Sequence, residues 1–124
     1  MPEKNWLYYS VNNMKKESTA KLLRIFIGES DKYKGKNLYQ YLVEFLRKNN
    51  YSGITVLRGV TGFGRASKIH SSDLLELSSD LPIVIEIVDT EEQIEKLKQI
   101  FDETNMIGSA LITEENVKII KYGE

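Results

Sequence analysis

Leu81-Pro82-Ile83-Val84-Ile85-Glu86-Ile87-Val88 is an almost unbroken apolar run, interrupted only by Glu86. Such a run reads as a strand near the centre of a sheet, where both faces are covered. Thr90-Glu91-Glu92-Gln93 follows as a capping box. The threonine oxygen accepts from the amide three residues on, and Gln93 can reach back. The helix it opens turns Ile94, Leu97, Ile100 and Phe101 inward, and a last strand over about Val117 to Tyr122 follows a turn near Glu114 to Asn116. Upstream of the run, Ala66 to Asp80 is polar and serine-rich and reads as a long loop, with a short helical turn around Leu74 to Leu77. Gly59, Gly62 and Gly64 break regular structure ahead of it. Ile54 to Arg58 is a strand, and Asn50 and Gly53 stop the helix before that strand. That helix runs from about Asn37 to Asn49 on the stripe Leu38, Leu42, Phe45 and Leu46. A polar loop from Gly28 to Lys36 separates it from a first strand over Lys21 to Ile27.

The order is β-α-β-β-α-β. Right-handed connections and short crossovers leave few solutions, of which the commonest is the ferredoxin-like α+β sandwich: an antiparallel sheet with two helices on one face. Its first and third strands lie side by side at the centre, and they are the most apolar here. Alternation places Leu23, Ile25 and Ile27 with Ile83, Ile85 and Ile87 toward the helices. Leu22, Arg24 and Phe26, with Val84, Glu86 and Val88, fall on the uncovered face. One charge per strand among apolar side chains makes that face too greasy for solvent, so another subunit is expected to cover it. The bland alternative is a partly wet open sheet. Arg24 and Glu86 are expected to pair across it.

At 124 residues the chain has the size of one domain, large enough for a core without staples. With no cysteine it has no disulfide, zinc-thiolate site or thiol nucleophile. A net charge of −1 argues against a general nucleic-acid binder. No apolar run approaches a membrane span, and residues 1–20 lack the apolar core of a secretory signal, so a cytoplasmic protein is expected. Residues 1–20 read as an N-terminal extension before a domain over 21–124. It is either a tail or an arm whose Trp6-Leu7-Tyr8-Tyr9 cluster packs on the domain or on a neighbour.

Chemistry concentrates in Arg58-Gly59-Val60-Thr61-Gly62-Phe63-Gly64-Arg65, followed by Lys68 and His70. Glycines let successive amides converge on an anion, and Arg65 adds a planar fork suited to phosphate. The spacing from Gly59 to Gly64 nearly fits a P-loop, but Arg65-Ala66 stands where Lys-Ser/Thr is required. By itself the stretch reads first as a strained turn with a solvated arginine.

In combination the residues say more. Gly53-Ile54-Thr55-Val56 running into Gly62-Phe63-Gly64-Arg65, then Leu81-Pro82, Ile85-Glu86-Ile87-Val88, the helix from Thr90 and Gly108 to Ile112, resemble the nitrogen-regulatory PII proteins and their PII-like relatives. The likeness covers about Lys21 to Ile120 and is nearest the uncharacterised PII-like branch. The resemblance implies a homotrimer that binds an adenine nucleotide in clefts between subunits. Its loop between strands two and three, about Gly59 to Asp80, would report occupancy to a protein partner, with membrane transporters or channels as one class. It assigns Gly62, Phe63, Gly64, Arg65 and Lys68 to the loop base and phosphate, and Thr55, Glu86 and Val88 to the adenine; Phe63 would pack at the loop base or on the ligand. The chain also departs from the family. One extra residue separates Gly53 from Gly62, Ala66 replaces a glutamine, Gly108-Ser109-Ala110 lacks a lysine, and only Lys118 and Lys121 stand near the usual paired arginines. Fewer cations favour AMP or ADP over ATP. No tyrosine lies between Val60 and Asp80 to be uridylylated.

His70, the serines of the loop, and the acidic group Asp89, Glu91, Glu92 and Glu95 have ordinary structural explanations. No nucleophile, base or catalytic metal set can be assembled. The readings therefore rank as a nucleotide-responsive regulator and not an enzyme, then a trimeric assembly module without nucleotide, then a small enzyme on a widespread fold.

Overall fold

The computed structural model describes residues 15–63 and 80–123. Strand β1 spans Lys15–Gly28. A small hairpin of β2 (Lys32–Tyr33) and β3 (Lys36–Asn37) leads into helix α1 (Leu38–Lys48). Then come β4 (Ile54–Arg58), β5 (Pro82–Asp89), helix α2 (Glu91–Glu103) and β6 (Leu111–Tyr122). The large strands form one antiparallel sheet in the order β4-β5-β1-β6.

Both helices lie on one face of this sheet. Leu23, Ile25, Ile83, Ile85 and Ile87 are buried against Leu38, Leu42 and Leu46 of α1 and Ile94, Leu97 and Phe101 of α2. Each contributes about 1.5–3 kcal/mol by leaving water. The expected helical stripes and the inward aliphatic set of the two central strands are all present. Phe45 and Ile100 pack at the margin of the core and are only partly buried.

Three local expectations are corrected. β1 begins at Lys15, so a boundary at residue 20 falls inside a strand. Residues 15–20 pair with 117–122 of β6, from Lys15↔Tyr122 to Ala20↔Val117. Their side chains are mostly polar on both faces, so no apolar alternation marks them; backbone bonding to β6 makes the strand. Lys118 reaches Glu17 at 3.5 Å, and Lys15 lies 6.0 Å above the Tyr122 ring.

The turn expected at Glu114 to Asn116 is absent, because β6 runs straight through it. Lys98 and Lys21 meet Glu114 at 2.8 and 3.5 Å, and Arg24 meets Glu115, so the charges that resemble a turn are paired within a strand. The polar segment after Gly28 also folds. Lys34 (φ 51°) and Gly35 (φ 78°) both take the left-handed conformation of a tight two-residue hairpin turn. Tyr33 then packs edge-on to Tyr41 at 4.8 Å.

The capping box forms by half. Thr90 Oγ1 accepts from the Gln93 amide at 3.2 Å. The Thr90 amide, however, donates to Asp89 Oδ1 at 2.7 Å instead of to the Gln93 side chain. Asp89, only 4% exposed, also accepts from the Ser52 amide at 2.8 Å. One buried carboxylate thus ties the approach to β4 to the start of α2. Neighbouring Tyr51 donates to the Gln93 carbonyl at 3.1 Å. Burial, then the Asp89 charge, pushes its hydroxyl pKa above the ordinary phenolic value.

Candidate functional site

The sheet face away from the helices carries ordered rows of side chains. Cross-strand register aligns Leu57, Val84, Phe26 and Leu111 into an apolar row spanning β4, β5, β1 and β6. The next row is Thr55, Glu86, Arg24 and Thr113. Beyond it stand Val88, Leu22 and Glu115. Leu57, Phe26 and Leu111 are exposed, so the apolar row has no cover within one subunit.

Arg24 joins three strands on this face. Its Nε donates to Glu86 Oε2 at 2.8 Å, and its Nη1 donates to Glu115. The hydrogen bond to Glu86 first, and that to Glu115 second, hold the guanidinium pKa above its ordinary value. The expected Arg24–Glu86 pair is therefore present, while Glu115 went unforeseen because residues 114–116 look like a turn. One cation between two carboxylates leaves the Arg24–Glu86–Glu115 cluster with an excess negative charge.

The stems of the loop after β4 are anchored at the other end of the sheet. Gly59 donates its amide to the Pro82 carbonyl at 2.7 Å. A Cβ on Gly59 would lie 2.7 Å from Pro82 Cγ, so the chain passes too close to the proline ring for any side chain. Arg58 pairs with Glu29. The Ser30 amide donates to Asp80 Oδ1 at 2.9 Å, and the Glu29 amide to the Leu81 carbonyl at 2.9 Å.

Thr55 and Glu86 are therefore direct cross-strand neighbours, and Val88 shares their face two residues along. Gly62 leans on Pro82, where an added Cβ would be 3.2 Å from the ring. Phe63 is 75% exposed. Val88 and Pro82 are six residues apart on β5, roughly 20 Å along an extended strand. Glu86 is four residues from Pro82, roughly 13 Å along the strand, so Gly62 stands apart from the residues assigned to the base. Gly64, Arg65 and Lys68, with His70 and the leucines Leu74, Leu75 and Leu77, lie outside the described residues. In the turn before β6, Gly108 takes a φ of 57° and Ala110 donates its amide to the Ile107 carbonyl at 3.1 Å. Residues 105–110 contain no lysine or arginine.

A family model described as an uncharacterized ACR, DUF190, matches residues 20–119. The chain belongs to the DUF190 family. Among curated relatives, a UPF0166 protein of Aquifex aeolicus is 40% identical over 100 residues, covering 81% of this chain and 92% of the relative. A UPF0166 protein of Methanocaldococcus jannaschii is 34% identical over 96 residues, covering 77% and 88%.

Solved structures of PII-like proteins share the fold. The apo form of CPII, a nitrogen regulatory PII-like protein of Thiomonas intermedia K12, superposes with a TM-score of 0.58 at 16% identity, covering 86% of this chain and 98% of that one. CPII bound to ADP, AMP and bicarbonate gives 0.60 at 18%, covering 84% and 91%. A putative PII-like signaling protein of Thermus thermophilus gives 0.59 at 20%, covering 84% and 92%. At these identities the likeness establishes a PII-like, ferredoxin-type fold. Among the described residues, no helix is long and apolar enough to cross a membrane and no cluster of three metal-ligating side chains occurs.

Proposed function

We propose that the protein is a PII-like regulator that acts by binding, without turnover. Three copies would pack their open sheet faces around a threefold axis and take AMP or ADP into the clefts between subunits. Thr55, Glu86 and Val88 would face the base; Gly62 to Arg65, with Lys68, would hold phosphate from the loop. The loop over 59–80 would carry the signal to a protein partner in the cytoplasm, a membrane transporter or channel being one class.

The observation that carries this reading is the separation of the two residue groups. Thr55 and Glu86 are paired on the open face, while Gly62 and Phe63 stand at the loop base beyond the apolar row. Residues divided in this way suit a ligand held between copies, and the exposed row of Leu57, Val84, Phe26 and Leu111 supplies a surface for the copies to share. The ADP and AMP found on CPII, a protein of the same fold, are consistent with this ligand class.

Thermal unfolding of the purified protein with AMP, ADP, ATP and GMP, alongside mass by light scattering, tests the proposal. A trimer stabilised by AMP or ADP supports it. A ligand at 100 times its dissociation constant adds about 2.7 kcal/mol. A trimer that no adenine nucleotide stabilises would leave an assembly module, a reading favoured by the absence of a cation in the turn before β6.

A further inference from the structure

Glu86 is held in an unusual way for an acidic side chain on an uncovered sheet face. Arg24 Nε occupies its Oε2 at 2.8 Å, whereas Oε1 receives no donor among the described residues. The same guanidinium is tied on its far side by Glu115, so it spans from β5 across β1 to β6. Thr55, the direct cross-strand neighbour of Glu86, is exposed beside it. The Arg24 and Glu86 side chains are 35% and 30% exposed, so the pair is half-sheltered yet reachable.

A lone glutamate at this position would spread over several rotamers, and fixing it costs side-chain entropy. The planar guanidinium fork, itself fixed at two ends, removes that freedom before any ligand arrives. We propose that Arg24 is a positioning residue: by fixing Glu86 it makes the free carboxylate oxygen an acceptor-only reader of the ligand's base, which selects adenine over hypoxanthine. This inference rests on the nucleotide reading above.

The selection follows from hydrogen-bond chemistry. An ionised carboxylate only accepts. The exocyclic amino group of adenine donates, and the carbonyl that replaces it in hypoxanthine accepts. Hypoxanthine would therefore oppose acceptor to acceptor at Glu86. Glu115 contributes by sharing the guanidinium, so Arg24 does not fully neutralise Glu86. Without Arg24, Glu86 and Glu115 would face each other across β1 and be driven apart, and the acceptor would lose its position.

The test is binding of adenosine and inosine monophosphate (AMP and IMP) to the full-length protein by calorimetry, in the wild type, Arg24→Gln and Arg24→Lys. The wild type should prefer AMP by about tenfold or more, a modest value for a site built to pair with an amino group. Arg24→Gln should bring the two ligands within about threefold of each other. Arg24→Lys, which keeps the charge but not the fork, should fall between. A purely structural bridge would lower the melting temperature without moving the AMP-to-IMP ratio, so an unchanged ratio in Arg24→Gln overturns the role of Arg24. Equal binding of AMP and IMP by the wild type overturns base reading and leaves the nucleotide site standing. Binding of neither defeats the nucleotide reading itself. Should Arg24→Gln fail to fold, Arg24→Lys decides, and a wild-type ratio in that variant overturns the proposal.

Discussion

Gly59 shows how a single backbone contact can dictate residue type. Its amide bonds to the Pro82 carbonyl while its Cα faces the proline ring, with 2.7 Å left for a Cβ. Gly59→Ala should cost about 1–3 kcal/mol, the range for forcing extra atoms into a packed site. Gly53, by contrast, has no atom within 4 Å of an added Cβ. Gly53→Ala should be neutral or stabilise by about 0.4–1 kcal/mol through the unfolded chain. Urea unfolding of both variants checks the contrast, and equal effects would contradict the close approach. The glycines after β4 are visible in the sequence as an anion nest. The proline contact that demands Gly59 is not, because it depends on which strand lies alongside.

At the scale of elements, β6 is held to the rest of the fold by charge as well as by backbone bonding. Lys98 of α2 bonds Glu114 at 2.8 Å and Glu95 at 2.8 Å. Its hydrogen bond to Glu114 is the main cause holding that carboxyl below its ordinary value of 4.5, with the Lys98 and Lys21 charges adding to it. A depressed folded pKa contributes stability above the unfolded value and loses it as pH falls through the folded one. The bridge should therefore help at neutral pH, and its benefit should disappear below the ordinary carboxylate range. Solvent screens a pair of this kind, so its contribution is at most about 1 kcal/mol. Glu114→Gln should be slightly less stable than the wild type at pH 7. The two should converge on acidification, as read by urea unfolding at stepped pH, and a gap that widens at low pH would refute the bridge. The helices and the core faces of β1 and β5 are legible because apolar spacing marks them. The outer half of β1 and the middle of β6 are not, because their side chains are charged on both faces and the signal is a backbone ladder to a strand distant in sequence.

For the whole molecule, the open face decides how copies meet. Phe26 lies in the centre of its apolar row, between Val84 and Leu111. Phe26→Glu should convert the expected trimer to monomers by light scattering at micromolar concentration, since a buried unpaired charge is strongly disfavoured. A wild type that is already monomeric would contradict the assembly. Composition and periodicity by themselves determined the order of the four large strands and two helices, the helical stripes, the inward aliphatic faces of β1 and β5 and the Arg24–Glu86 pairing. Each of these follows from near-neighbour geometry: a repeat of 3.6 or 2, and two strands already placed side by side. Tertiary structure alone decided that Glu115 shares Arg24, that Asp89 rather than Gln93 serves the Thr90 amide, and that Gly59 and Gly62 lie against Pro82, at the opposite end of β5 from Val88. Those depend on register between segments far apart in the chain, and register is set by the packing of the whole sheet rather than by any local pattern.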